Sequence, residues 1–183
     1  MTGKAVNGGY QKYTTCTETL VCPIPDSVPY SNAVVLPLSI STATCALFDI
    51  LGLDPPSLNP TPKGKTVLVW GGASSCGSTA IQLATAAGYD VATTASPHNF
   101  DYVKALGATH VFDYNKKVIQ AEILAFMKSV KSAGVFDSVG SEKLLRYCER
   151  NWWRQSTTSH VPSTGTPEQR GGSAGLRLQP IVG

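Results

Sequence analysis

Apolar and polar positions change rhythm near residue 66, and the change divides the chain into parts of different kind. From Tyr10 to Pro29 the residues are β-branched, aromatic and punctuated by proline, with Tyr13 to Thr17 and Leu20 to Cys22 as short strand candidates. Between Ser31 and Leu53, the residues Val34, Val35, Leu38, Ala43, Ala46, Leu47 and Ile50 recur at helical steps, and Gly52 sits where a helix would stop. Pro37 must kink or divide that helix, because it lacks an N–H and its ring clashes with the preceding turn. Residues 54–65 are Pro-rich and polar, as suits an exposed connection. The chain then alternates strictly. Strands are expected at Thr66 to Trp70, Asp90 to Thr94, His110 to Phe112 and Gly134 to Val139, with helices between them at Ser78 to Ala87, Asn99 to Leu106 and Val118 to Val130. Such alternation predicts an α/β fold, a doubly wound parallel sheet with helices on both faces. After Arg150 periodicity ends in Ser, Thr, Gly and Pro, which predicts a disordered tail over 151–183.

The 183 residues are 42% hydrophobic, enough for a packed core. Fifteen basic and twelve acidic residues leave a net charge of +3 with no basic block, which argues against nucleic acid or an anionic membrane as partner. Cys16, Cys22, Cys45, Cys76 and Cys148 show no Cys-x-x-Cys spacing and no nearby His, so no metal site is expected. They suit a reducing cytoplasm. The first residues have no apolar signal core, and no apolar run is expected to reach bilayer-spanning length.

Chemistry enters directly after the first strand, at Gly71-Gly72-Ala73-Ser74-Ser75-Cys76-Gly77. In the dinucleotide fingerprint Gly-x-Gly-x-x-Gly, the first glycine makes the turn, the second admits the pyrophosphate and the third packs helix on strand. Gly72, Ser74 and Gly77 take those places, with serine for the middle glycine. The pyrophosphate would sit on N–H groups at the helix N-terminus, where the helix dipole favours negative charge. A plain Gly-rich turn is the simpler alternative; the strand before and helix after favour the nucleotide, and with it a partial Rossmann domain over 66–150.

NAD-specific sites place Asp or Glu at the end of the second strand. Here the chain reads Ser96-Pro97-His98-Asn99, without a carboxylate. Ser96 and Asn99 can donate hydrogen bonds to a 2′-phosphate and a protonated His98 can add charge, so NADPH is expected over NADH. The competing reading makes this segment a helix cap, with Ser or Asn satisfying free N–H groups. Tyr114, just past the third strand, can reach the same phosphate or simply pack.

Val67 to Ala84, Thr94 to Ala108 and Val111 to Tyr114 together resemble the zinc-lacking medium-chain dehydrogenase/reductases of fungi, the branch holding trans-acting enoyl reductases of polyketide pathways and quinone-oxidoreductase-like proteins. The segment Leu36 to Ala43 is similar to the family's helix leading out of its catalytic domain. The resemblance implies that Ala73, Ser74, Ser75 and Cys76, then Ser96, Pro97, His98 and Asn99, then Tyr114, bind NADP, and that Thr42 lies near the nicotinamide as the catalytic candidate. Thr42 as an ordinary helix residue is the alternative. The implied reaction is hydride transfer from NADPH to an enoyl thioester, enone or quinone, with a small-molecule or acyl-thioester substrate and a polyketide synthase as a conceivable partner. Residues 1–30 would be the remnant of the family's GroES-like β-domain and 31–65 the connecting helix and linker, in a chain truncated at both ends. A noncatalytic nucleotide-binding scaffold is the second reading; a zinc alcohol dehydrogenase is disfavoured by the cysteine spacing.

Family members carry Gly-Gly-Gly-Lys-Val where this chain reads Asn151-Trp-Trp-Arg-Gln-Ser156. Trp has the single codon TGG, and reading this stretch one base later permits Ile/Thr-Gly-Gly-Gly-Lys-Val/Ala. A lost reading frame near residue 151 is therefore expected; a Trp-rich interaction tail is the alternative.

Overall fold

The computed structural model describes residues 8–140. The expectations placed on Cys148, on residues 141–150 and on the tail lie outside the described residues. The chain divides into two compact units, residues 1–36 and 37–183.

In the first unit a 3₁₀ turn, Glu18–Leu20, and one helical turn, α1 (Tyr30–Ala33), are the regular elements described. The strands expected at Tyr13 to Thr17 and Leu20 to Cys22 do not form. β-branched residues favour extended backbone, but a strand is completed only by pairing with another strand, and no strand is described in this unit.

The second unit opens on α2 (Pro37–Thr44), which runs on as a π-helical turn, Cys45–Ile50. Proline divides the apolar pattern as its chemistry requires and then starts a helix, where its missing N–H costs nothing. Gly52, at φ +66°, ends the segment. By length and composition the run Tyr30–Ile50, 21 residues of mean hydropathy 1.7, could cross a membrane, which corrects the expectation that no run is long enough. Length alone is weak grounds for a membrane span. Ala43, Ala46 and Leu47 of this run are fully buried in the core of the second unit, while Leu38, Ile40 and Ile50 are exposed.

The alternating region folds as β1 (Thr66–Trp70), α3 (Ser75–Ala86), β2 (Asp90–Ala95), α4 (Phe100–Ala105), β3 (His110–Asp113), α5 (Ile119–Ser129) and β4 (Ser132–Asp137). All pairings are parallel, in the order β3-β2-β1-β4. Successive side chains of a strand face opposite sides, so β1 feeds two cores. Val67 and Val69 join Ala80, Ile81, Ala84 and Val103 from α3 and α4, whereas Leu68 joins Ile119, Ile123 and Met127 of α5. Helices thus cover both faces, and the winding reverses where α5 carries the chain from β3 across to β4. A crevice opens beyond the carboxyl ends of the strands at such a reversal, between β1 and β4.

The fourth strand is displaced from its expected limits, starting at Ser132 and stopping at Asp137. Its start is set by pairing: Ser132 lies opposite Thr66 and Gly134 opposite Val67, leaving Ala133 as an extra residue in a bulge. Its end is set by Asp137, whose Oδ1 accepts the N–H groups of Val139 (2.9 Å) and Gly140 (3.0 Å) and turns the chain.

The Pro-rich connection is tied down by Asp54. Its Oδ2 lies 2.9 Å from Lys63 Nζ, and the Tyr89 hydroxyl donates to it at 3.2 Å. The hydrogen bond and charge of Lys63 hold the Asp54 carboxyl below its ordinary range, and the hydrogen bond to Asp54 holds the Lys63 ammonium above its own. A lowered carboxylate pKa contributes stability above the unfolded value and loses it as pH falls through the folded one; a raised lysine pKa loses its contribution as pH rises through the folded value. The pair therefore acts between those ranges, weakly, because both groups face solvent. Lys63→Ala is expected to lower the urea midpoint slightly at pH 7, with the difference shrinking as acid protonates Asp54. An unchanged difference in acid would show that the pair is not its source.

Candidate functional site

A cleft of about 460 Å³ lies at the carboxyl ends of the strands, lined by residues from all four of them or the turns that follow. Trp70 and Gly71 come from the end of β1, Thr94, Ala95 and Ser96 from β2, Tyr114 from β3, and Val139 from β4. Ala73, Ser74, Asn99, Ile119 and Gln120 complete it.

The glycine-rich turn is held in place by side chains it does not itself carry. Gly71 N–H donates to Thr94 Oγ1 and Gly72 N–H to the Thr94 carbonyl, both at 2.9 Å. On the next helix, Ser78 Oγ donates to the Gly72 carbonyl at 3.0 Å and stands 3.1 Å from the Tyr102 hydroxyl, which donates to it. Space decides the glycines. A Cβ on Gly72 would meet Thr93 Oγ1, and one on Gly77 would meet the carbonyl oxygen of Gly71. Gly77 is thus the close-packing glycine of the fingerprint, as its position in the motif predicts.

Ser74 departs from a simple stand-in for glycine. Its backbone is extended, it is the N-cap of α3, and its Oγ accepts the Gly77 N–H at 3.0 Å. An N-cap hydroxyl satisfies one of the donors that every helix start leaves open. The N–H groups of Ala73, Ser75 and Cys76 keep no acceptor among the described residues. Three backbone donors without an acceptor at the start of a twelve-residue helix are the groups to which an anion could bond, and the helix dipole favours negative charge there.

Across the cleft, Ser96 and Asn99 pair with each other: Asn99 Nδ2 donates to Ser96 Oγ at 3.0 Å. Neither side chain caps a helix. The capping alternative for this segment therefore does not describe it, and both side chains line the cleft with their remaining donors. Pro97 and His98 occupy an exposed 3₁₀ turn and are not among the lining residues. No carboxylate lines the cleft. The carboxylate nearest in register, Asp113 opposite Ala95, accepts from both the N–H and Nδ2 of Asn115 at 2.9 Å, closing its own turn.

The structure thus brings Ala73, Ser74, Ser96, Asn99 and Tyr114 around one cleft, with Gly72, Ser75, Cys76 and Gly77 in the turn that shapes it. Thr42 does not line it; the residue is half-buried on α2, which packs on α3. Sequence reading missed Thr93, Thr94 and Ser138. Two adjacent threonines in a buried strand were a usable signal, since buried hydroxyls need partners. Ser138 had none, because its value depends on β4 landing beside β1.

Among the described residues no three or more His, Cys, Asp or Glu side chains gather as a metal would require.

Comparison with known proteins agrees with this fold. The family model described as zinc-binding dehydrogenase matches residues 76–150. The dehydrogenase azaJ of Aspergillus niger is 48% identical over 138 residues, covering 74% of this chain and 40% of the relative. The trans-enoyl reductase himH of Aspergillus japonicus is 48% identical over 150 residues, covering 81% of this chain and 43% of the relative. Among solved structures, the CurK enoyl reductase superposes with a TM-score of 0.58 at 25% identity, over 70% of this chain and 36% of that one. The chain therefore spans about two fifths of the length of these curated relatives.

Proposed function

We propose that the chain belongs to the medium-chain dehydrogenase/reductase superfamily and is the nucleotide-binding part of an NADPH-dependent reductase of activated double bonds, a reading supported by its matches to a zinc-binding dehydrogenase model and to enoyl reductases. The observation that carries the reading is one cleft lined by both the glycine-rich turn and the Ser96 and Asn99 pair. The open N–H groups of Ala73, Ser75 and Cys76 suit a pyrophosphate, and the Ser96 and Asn99 pair, with no lining carboxylate, suits a 2′-phosphate. Tyr114 lines the same cleft, half-exposed and able to pack on a ring or donate to a phosphate. His98 adds positive charge at the rim when protonated.

NADPH, when bound, supplies a hydride to the electrophilic carbon of an enoyl thioester, enone or quinone. The chain's own residues hold and orient the dinucleotide: the turn fixes the pyrophosphate, Ser96 and Asn99 the adenosine end, and α3 the direction between. Thr42, on the helix packed against α3, is the residue proposed to come near the nicotinamide end. An acyl-thioester substrate, delivery by a polyketide synthase and a cytosolic setting go with this reading, and similarity to the trans-enoyl reductase himH supports reduction of an enoyl group. Residues 1–30 are proposed to be the end of a GroES-like domain, 31–65 the connection, and 66–150 the nucleotide domain. The proposed frame loss near residue 151 is supported by a family match that stops at 150.

Fluorescence titration with NADPH and NADH, followed by turnover of crotonyl thioester and of a quinone, tests the proposal. NADPH is expected to bind at least tenfold more tightly, about 1.4 kcal/mol. Equal affinities would remove the 2′-phosphate site, and binding without turnover would favour the noncatalytic scaffold.

A further inference from the structure

We propose that Ser138, just beyond β4, is a positioning residue for the pyrophosphate cradle and acts through Ser74. The inference rests on the dinucleotide reading of the cleft and adds to it a residue that neither the fingerprint nor the cleft lining contains.

Ser138 Oγ lies 2.8 Å from the Trp70 carbonyl, 3.0 Å from the Gly71 carbonyl and 2.8 Å from Ser74 Oγ. Ser74 Oγ in turn lies 2.8 Å from the Gly71 carbonyl while accepting from Gly77 N–H. Two hydroxyl protons must therefore serve the Trp70 and Gly71 carbonyls and one hydroxyl oxygen. Either Ser138 donates to the Trp70 or Gly71 carbonyl while Ser74 donates to the Gly71 carbonyl or to Ser138, or Ser138 donates to Ser74 and Ser74 to the Gly71 carbonyl. The backbone adds a fixed point, since Ser138 N–H also donates to the Trp70 carbonyl at 3.1 Å.

The geometry explains how serine replaces the middle glycine of the fingerprint. A side chain at position 74 would be free to swing into the space a pyrophosphate needs, but here its hydroxyl is held between the helix start and the end of a neighbouring strand. With Ser74 held, the backbone that presents the Ala73, Ser75 and Cys76 N–H groups is held too. Thr94 anchors the same turn from the β2 side, so the cradle is gripped from both strands that flank β1. The turn has no slack there: a Cβ on Gly71, at φ +81°, would meet the Val139 side chain and lie 2.9 Å from Ser138 Oγ.

Ser138→Ala removes the link while leaving Ser74 its bonds to Gly71 and Gly77, so the fold persists. In the full chain, NADPH affinity is expected to fall about tenfold, the worth of one well-placed hydrogen bond. Adenosine 2′-monophosphate, which lacks the pyrophosphate, should bind the variant and the parent within about twofold of each other. Ser138→Thr, which keeps the hydroxyl, should restore NADPH binding, and the isosteric Ser138→Cys, a weak donor, should weaken it even if the alanine variant folds poorly. In a Ser74→Gly background the effect of Ser138→Ala should largely disappear, as expected for two residues in one network. The proposal is overturned if Ser138→Ala binds NADPH as tightly as the parent, or if both ligands weaken equally. A parent chain that binds no NADPH would instead remove the cofactor reading, and this proposal with it.

Discussion

Gly77→Ala is expected to abolish measurable NADPH binding in the full chain, a loss of more than ~100-fold, and to destabilise the fold by about 3 kcal/mol. The added methyl would meet the Gly71 carbonyl oxygen and come within 2.9 Å of the Gly71 carbonyl carbon and of Gly72 Cα. These are backbone atoms, so no rotamer change can relieve the contact, and overpacking must move the main chain. The Gly71 carbonyl cannot easily swing aside, because Ser74 and Ser138 hydroxyls both lie within hydrogen-bonding distance of it. Movement of α3 away from β1 is the remaining escape, and it would disperse the N–H groups that form the cradle. Thermal unfolding and NADPH titration of the variant measure the two effects. Gly9→Ala, where nothing lies within 4 Å of the new carbon, is the control. A variant with the parent's midpoint and affinity would mean that the turn is not packed as described.

The second large effect is expected from Ser96→Asp, which places a carboxylate in a cleft that has none. A 2′-phosphate carries close to two negative charges near pH 7, and a carboxylate within a few ångströms repels it in a partly desolvated site. The same carboxylate can accept both hydroxyls of an unphosphorylated ribose. NADPH affinity is expected to fall by about 100-fold while NADH affinity holds or rises, inverting the preference. Asn99 remains in reach to donate to the new carboxylate, so the segment need not unfold. An unchanged NADPH to NADH ratio would show that Ser96 does not face the 2′ position and that the charge of the segment is irrelevant to choice of cofactor.

These two substitutions probe the site in different ways, and the difference reflects how each part was legible. Gly77 announces itself, because the spacing of small residues after an apolar strand is a local pattern with one common physical use. Ser96 and Asn99 were open to two readings, capping or binding. The two can hold together, and the coordinates bear on the first alone, since the side chains bond each other and cap nothing. Thr42 was carried by resemblance alone, and the cleft of the described residues does not include it. The strands expected between Tyr13 and Cys22 fail for a related reason. Propensity can bias a backbone toward extension, but a strand is completed only by a partner, which is not a property of the segment itself.

What the sequence determined by itself was the alternation of strands and helices from Thr66 onward, the division at Pro37, and the glycine turn. Each depends on contacts or covalent constraints within a few residues, so each is written in the order of the chain. Tertiary structure alone decided the sheet order, in which β4 crosses to the far side of β1 while α5 covers the opposite face. That reversal opens the cleft between strand ends and brings Ser138, 64 residues away in sequence, to 2.8 Å from Ser74. No local pattern can encode such a meeting, because it follows from how the two faces of one sheet bury their apolar side chains.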